Sequence, residues 1–194
     1  MAATDVGELV EAAAAGDEQA WNGLVQRFAG LIWSIALAHN LGPAEAGDVS
    51  QTCWLRLVEN LDRINEPDRI GAWLATTARR ECLAVLRRAG RQVPTDSDDD
   101  LEPQPVEAPI EAGVLTAERD RALWAAVDDL PPRCRALLRL LMSDPEPSYE
   151  EVGAALDMPI GSIGPTRGRC LEKLRRKLVL AGITGITRDS GDST

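Results

Sequence analysis

The sequence predicts an all-α protein built from two helical halves, and three observations carry that prediction. Apolar residues recur at helical spacing through most of the 194 residues, and no stretch shows the period-two alternation of a strand. Between residues 94 and 114 the composition turns acidic and proline-rich, so this segment cannot bury enough apolar area to offset its chain entropy. Ser148 to Lys177 reads as two short helices joined by a tight turn, the second ending in a dense basic run. That is the pattern of a helix-turn-helix. The expected domains are 1–93 and 115–181, joined by the linker 94–114 and followed by a tail at 182–194.

The elements follow in order. Val6, Leu9, Val10, Ala13 and Ala14 repeat with helical period, and Gly16-Asp17 closes that helix and opens the next. From Ala20 through Trp21, Leu24, Val25, Phe28, Leu31, Ile32 and Ile35 one long amphipathic helix continues to about His39-Asn40. Pro43 is placed to start a third helix, with Val49, Cys53, Leu57, Val58 and Leu61 as its apolar face. Asn60 to Gly71 holds too many breakers for a helix and reads as a loop. A fourth helix should begin at Ala72-Trp73-Leu74, with Trp73, Thr77, Leu83 and Leu86 inward. The second half opens with Leu115, Ala122, Leu123, Ala126, Val127 and Leu130, breaks at Pro131-Pro132, and resumes through Leu137, Leu138 and Leu141. Ser148 and Glu151 fit a capping box. Asp157-Met158-Pro159 interrupts that helix, and a second cap is expected at Ser162. Leu171, Leu174 and Leu178 give the last helix its apolar stripe.

Composition then excludes several functions. The net charge is −10, but residues 94–118 hold eight acids and no base, so most of the acidity belongs to one short segment. Either side of it stand two cationic patches, Arg79 to Arg91 and Arg167 to Lys177. Cys53, Cys82, Cys134 and Cys170 lie far apart with no metal or redox spacing, and His39 is the single histidine. The cysteines therefore read as small buried hydrophobes, and no metal or other cofactor is expected. The first residues lack the basic and apolar regions of a signal peptide. No run approaches the roughly 20 apolar residues of a membrane span, which leaves a cytoplasmic protein. No nucleophile elbow, phosphate loop or zinc-protease pattern is present, so the chain is not read as an enzyme.

Two sets of motifs carry a resemblance. In the first half Asp48-Val49-x-Gln51 is followed by Trp54, a loop, and Ala72-Trp73-Leu74-Ala75-Thr76-Thr77-Ala78-Arg79. In the second, Leu130-Pro131-x-Arg133-x-Arg135 precedes Ser148-Tyr149-Glu150-Glu151-Val152-Gly153 and Gly161-Ser162-Ile163 with a basic helix. Together, over about residues 18–178, they resemble regions 2 and 4 of bacterial extracytoplasmic-function (ECF) RNA polymerase sigma factors.

That resemblance implies a factor that binds core RNA polymerase, through its largest subunits, and directs it to promoter DNA. It implies that Asp48, Gln51 and Arg56 meet the polymerase. The loop with Asn60, Asp62, Arg63 and Asn65 would hold a base flipped from the minus-ten element, an extrusion that costs a few kcal/mol. Trp73 is either a stacking platform or a core anchor. Arg79, Arg80, Arg87 and Arg88 suit the phosphates of melting DNA. Ser162, Thr166, Arg167, Arg169, Lys173 and Arg176 would face the minus-thirty-five element, arginine being able to pair bidentately with guanine. The acidic linker suits a cationic channel of the polymerase. An anti-sigma factor is a further partner that the resemblance allows, and no membrane insertion is expected. Gly164, Pro165, Leu171, Arg80 and Thr77 depart from the family pattern, so promoter preference does not transfer. The rival readings are a stand-alone helix-turn-helix regulator and a helical interaction protein that does not bind DNA.

Overall fold

A computed structural model of the chain describes residues 5–91 and 122–180. The linker 94–114, the opening of the second half at 115–121 and the tail 182–194 lie outside the described residues. All regular structure within them is helical, as the periodicity predicts.

Helix α1 (Val6–Ala14) is capped by Asp5, whose carboxylate accepts from the Gly7 amide. Gly16, at φ +93, makes the turn that only glycine takes freely. Asp17 then caps α2 (Glu18–Ala38), accepting from the amides of Gln19 and Ala20. This long helix is the spine of the first half, with Leu24, Ile32 and Ile35 fully buried. Helix α3 (Pro43–Asn60) starts on Pro43, and the Glu45 carboxylate reaches back to the Gly42 amide at 3.1 Å. Its buried face is Ala46, Val49, Cys53 and Leu57. Val58, expected in the core, is instead 59% exposed.

The expected loop exists but is tighter than a loop. It holds two single turns of 3₁₀ helix, Leu61–Arg63 and Pro67–Arg69. The second runs straight into α4 (Ile70–Arg88), which therefore begins two residues before Ala72. Ile70, Leu74, Ala75, Ala78, Cys82 and Leu86 are its buried side, with Thr77; Trp73 and Leu83 only lean on the core.

In the second half, residues 122–128 form α5, Pro132 starts α6 (Pro132–Leu141), and α7 spans Tyr149–Leu156. The predicted capping box is present: Glu151 N–H donates to the Ser148 hydroxyl at 3.2 Å, and Ser148 N–H to the Glu151 carboxylate at 2.7 Å. Asp157 closes α7 in the left-handed region at φ 55, a conformation Asp tolerates better than most residues.

Three expectations fail here. Helix α8 (Ile160–Leu180) starts before Ser162, which is not its cap; the Ser162 hydroxyl donates to the Pro159 carbonyl at 2.7 Å. Pro159 breaks the chain early enough for the helix to start at the next residue, and Pro165 is carried inside it. Leu171 is 44% exposed, and fully buried Cys170 takes its place in the stripe with Ile163, Leu174 and Leu178. Finally, Cys134 and Cys170 are not separate small hydrophobes. The fold brings their Cα atoms to 5.2 Å and they form a disulfide, within the range that such a bond requires.

The halves are packed together. One continuous apolar cluster runs from Val10 to Leu178, with α4 against α7 and α2 against α6. Polar contacts cross the same seam. Arg79 pairs with Asp157 at 2.6 Å, and Arg69 pairs with Glu150. His39 Nε2 lies 3.2 Å from the Ala155 carbonyl oxygen, and Arg139 donates to the Leu37 carbonyl.

Candidate nucleic-acid interface

Three surfaces collect the residues singled out from the sequence. The first is on α3. Asp48 and Gln51 are both exposed, and Gln51 sits on the wall of an apolar groove of about 480 Å³ shared by Trp21, Trp33, Trp54, Leu55 and Val58. Trp21 and Trp54 meet edge to face at 5.9 Å, a favoured aromatic geometry. Leu55 is 58% exposed and Trp33 39%, so the groove presents large apolar side chains to solvent, the mark of an interaction site. Arg56 does not join Asp48 and Gln51. At 100° per residue it lies roughly 80° around the helix from Asp48, and it pairs instead with Glu81 of α4 at 2.8 Å. The sequence reading missed Trp33, Leu55 and Val58 as surface residues. The signal was there: Leu55 and Val58 are three apart and sit beside the Val49-Cys53-Leu57 stripe rather than on it.

The second surface is a cleft of about 470 Å³ between the 3₁₀ turns and α4. Asn60, Arg63 and Asn65 line one wall, Trp73 and Arg80 the other. Asp62 is exposed on the first turn and is not among the lining residues. Asn60 is held by donating to the Arg56 carbonyl at 2.8 Å. Trp73 meets both alternatives: half-buried, it leans on the core with part of its surface and lines the cleft with the rest. Arg69 was not foreseen individually. It lines the cleft while pairing with Glu66 at 2.8 Å and with Glu150 of α7. Arg79 turns away from the cleft to Asp157. Arg87 and Arg88 end α4 in solvent, where the helix C-terminus favours cations. Arg80 stands in the cleft, Arg79 is drawn to Asp157, and Arg87 lies about 10 Å further along the helix from Arg80, so the four arginines do not form one patch.

The third surface is the outer side of α8. Arg167, Arg169, Lys173 and Arg176 are exposed, Thr166 and Ser162 half-buried. Arg169 donates to the Thr166 hydroxyl at 3.1 Å, and Arg176 pairs with Glu172 at 3.3 Å. Gly161, Gly164 and Gly168 fall at i, i+3 and i+7, and a Cβ built on any of them meets nothing within 4 Å. Thus the amino-terminal half of α8 shows bare, open backbone between its arginines, and Pro165 stands in that strip. Among the described residues no group of three or more His, Cys, Asp and Glu is placed to hold a metal, and no helix is long and apolar enough to cross a membrane.

Comparison with known proteins follows this geometry. The Sigma-70 region 2 family model matches residues 24–92, from within α2 to just past the end of α4, and apart from Trp21 the lining of both grooves of the first half falls inside it. The ECF RNA polymerase sigma factor SigE of Mycolicibacterium smegmatis is 29% identical over 167 residues, 84% of this chain and 64% of that protein. The ECF RNA polymerase sigma-E factor of Escherichia coli K12 is 25% identical over 178 residues, 88% of this chain and 92% of that one. Alignments of that length cannot fit within either half, so both halves match, in order. Over most of its length the chain is similar to ECF sigma factors. Its fold is matched by two solved structures. CnrH in complex with the cytosolic domain of CnrY aligns with a TM-score of 0.61 at 20% identity, covering 91% of this chain and 98% of that one. The sigma factor RpoE in complex with the anti-sigma factor NepR from Bartonella quintana gives 0.59 at 21% identity, covering 82% and 97%. The chain spans just under two thirds of its mycobacterial relative and nearly all of the enterobacterial one.

Proposed function

We propose that this protein is a sigma factor, which binds core RNA polymerase and directs it to initiate transcription at a subset of promoters. The observation that carries the reading is the cleft between the 3₁₀ turns and α4. It combines an aromatic wall, amides and arginines in one opening, which suits a single unstacked base with its phosphate. A stand-alone helix-turn-helix regulator or a non-DNA interaction protein has no use for it.

The roles divide as follows. The apolar groove on α3, with Asp48 and Gln51 at its edge, takes the polymerase. Apolar grooves edged by a few polar groups give such interfaces their energetic centre. Asn60, Arg63, Asn65, Trp73 and Arg80 hold the melted minus-ten strand, and Arg87 and Arg88 its phosphates. Thr166, Arg167, Arg169, Lys173 and Arg176 place α8 in the major groove of the upstream duplex, while the glycines let the DNA backbone come close. Arg56 serves the α3–α4 seam. Two neighbours by fold were solved in complex with the cytosolic domain of CnrY and with the anti-sigma factor NepR, and an anti-sigma protein is a partner for this chain by analogy. Work on DNA places the protein in the cytoplasm.

Runoff transcription with core polymerase on promoter fragments from the same genome tests the reading. Product above core alone is expected, and none would sink it. Asp48→Ala should weaken core binding by about 1–2 kcal/mol, as removal of an interface anchor does, to the same extent on every promoter. A loss confined to some promoters would remove Asp48 from the polymerase face.

A further inference from the structure

The disulfide between Cys134 and Cys170 has no part in the function above. It joins the first turn of α6 to the middle of α8, 36 residues apart in sequence. The segment it closes contains the whole of α7 and the turn into α8. Cys170 is fully buried and adjoins Arg169; Cys134 is 7% exposed. The other two cysteines, Cys53 and Cys82, are free and buried, and burial pushes both thiols up to about 12, which makes them inert at neutral pH. The chain thus holds one bonded pair, set against the DNA-reading helix, and two silent thiols.

Where a protein works on DNA in a reducing compartment, persistent disulfides are rare, and those that form are transient and redox-sensing. On the sigma-factor reading, on which this inference rests, we propose that Cys134 and Cys170 are a thiol–disulfide switch. A hydroperoxide closes it, and the bonded form holds α8 in the geometry that reads the upstream promoter element.

The chemistry balances. The thiolate of Cys134, the more exposed partner, attacks the peroxide; an S–O bond forms, the O–O bond breaks, and the alcohol or water leaves. Cys170 then attacks the sulfenic sulfur, forming the S–S bond and releasing water. Two thiols lose two electrons and two protons, and the peroxide takes them. Reduction by a dithiol through exchange restores the pair. Both sulfurs lie in packed interior, where one extra atom's width is felt and strain is passed on. Two separate thiols need more room than a disulfide, so reduction shifts α8 against α6 at Cys170, one residue from Arg169 and four from Thr166.

The test uses the full chain, oxidised with hydrogen peroxide or reduced with dithiothreitol, freed of reagent and then added to core polymerase. Intact mass and thiol alkylation report the bond. Runoff is compared on a promoter and on the same promoter with its upstream element scrambled. The oxidised chain should lack two hydrogens and two alkylatable thiols, and should use the intact promoter about fivefold better than the reduced chain, the equivalent of roughly 1 kcal/mol. Cys134→Ser and Cys170→Ser should both stay at the reduced level under either treatment, and Cys53→Ser should respond as wild type does. Absence of the bond after peroxide overturns the proposal. So does equal or better transcription from the reduced chain, which leaves the bond purely structural. No transcript from either form sinks the sigma reading and the switch together, whereas equal transcripts sink the switch alone.

Discussion

His39 is a titratable residue on the seam between the two halves. Its Nε2 faces the Ala155 carbonyl, and a carbonyl can only accept, so Nε2 carries the hydrogen. Nδ1 is then a bare acceptor, buried and without a partner, a defect that costs about 1–3 kcal/mol. Burial lowers the ring's pKa below the usual 6.5; the Ala155 bond opposes this, and the charge of Arg79 adds to it. The packed form therefore wants His39 neutral. Once α7 has left α4, the ring in water takes a proton at its ordinary pKa. Stability of the packed form is full above pH 6.5 and falls as pH drops through that value, because the open form gains a proton that the packed form refuses. His39→Gln keeps a donor for Ala155 and cannot titrate. Thermal midpoints of wild type and His39→Gln should run parallel above about pH 7 and diverge below about pH 6, wild type falling faster. Parallel curves throughout would show that His39 does not report the seam.

At the scale of elements, α8 is the helix on which the proposed reading of the upstream element rests. Its arginines differ in what surrounds them: Arg176 is tied to Glu172, while Arg169 is steadied by Thr166 beside the open glycine strip. Arg169→Ala should lower use of promoters that depend on the upstream element by about 1–3 kcal/mol, the worth of one good base contact, and leave core binding unchanged. An equal loss with a scrambled upstream element would assign Arg169 to non-specific phosphate contact. What was legible in the sequence follows the same division between local and distant causes. The capping box at Ser148 and Glu151, the start of α3 at Pro43 and the break at Asp157 depend on neighbours within a turn, and each appears where expected. The start of α8 was misplaced because Ser162 looks like a cap, yet Pro159 already frees the chain to coil at Ile160. Leu171 and Cys170 were interchanged because a leucine was given the stripe by type, although Ile163, Leu174 and Leu178 fix its phase. Val58 failed for the same reason. The α3 groove, the disulfide and the α4–α7 seam depend on packing between residues distant in the chain, which periodicity does not encode.

The whole molecule is held closed, and the closed form covers part of its own cationic surface. Arg79 and Arg69 of the first half are paired with Asp157 and Glu150 of the second. Those pairs do not hold the halves together by themselves. Asp157 is 75% and Arg69 60% exposed in their side chains, and exposed ion pairs contribute about 0–1 kcal/mol. Burial does more: α4 presents Leu74, Ala75 and Ala78, and α7 presents Val152 and Ala155, all at zero exposure. Separating the halves therefore needs a wedge, and Gly71 marks its place. A Cβ there would stand 2.0 Å from a Glu151 carboxylate oxygen and 3.0 Å from Phe28. The same carboxylate accepts from the Ser148 N–H, so a side chain at 71 displaces the Glu151 tip and frees that donor, while the Ser148 hydroxyl still caps α7; the length of a leucine is what presses on the seam. Gly71→Leu should open the molecule, seen as a larger radius of gyration in small-angle scattering, and should raise retention of promoter DNA in the absence of polymerase. Asp157→Ala should leave the radius unchanged, since it removes only the weak pair. A Gly71→Leu protein of wild-type radius would mean that the seam yields locally around Glu151, and that the closed form is held by α2 and α6 instead. If the radius grows while DNA retention does not, then covering Arg79 and Arg69 does not limit DNA binding by the free protein.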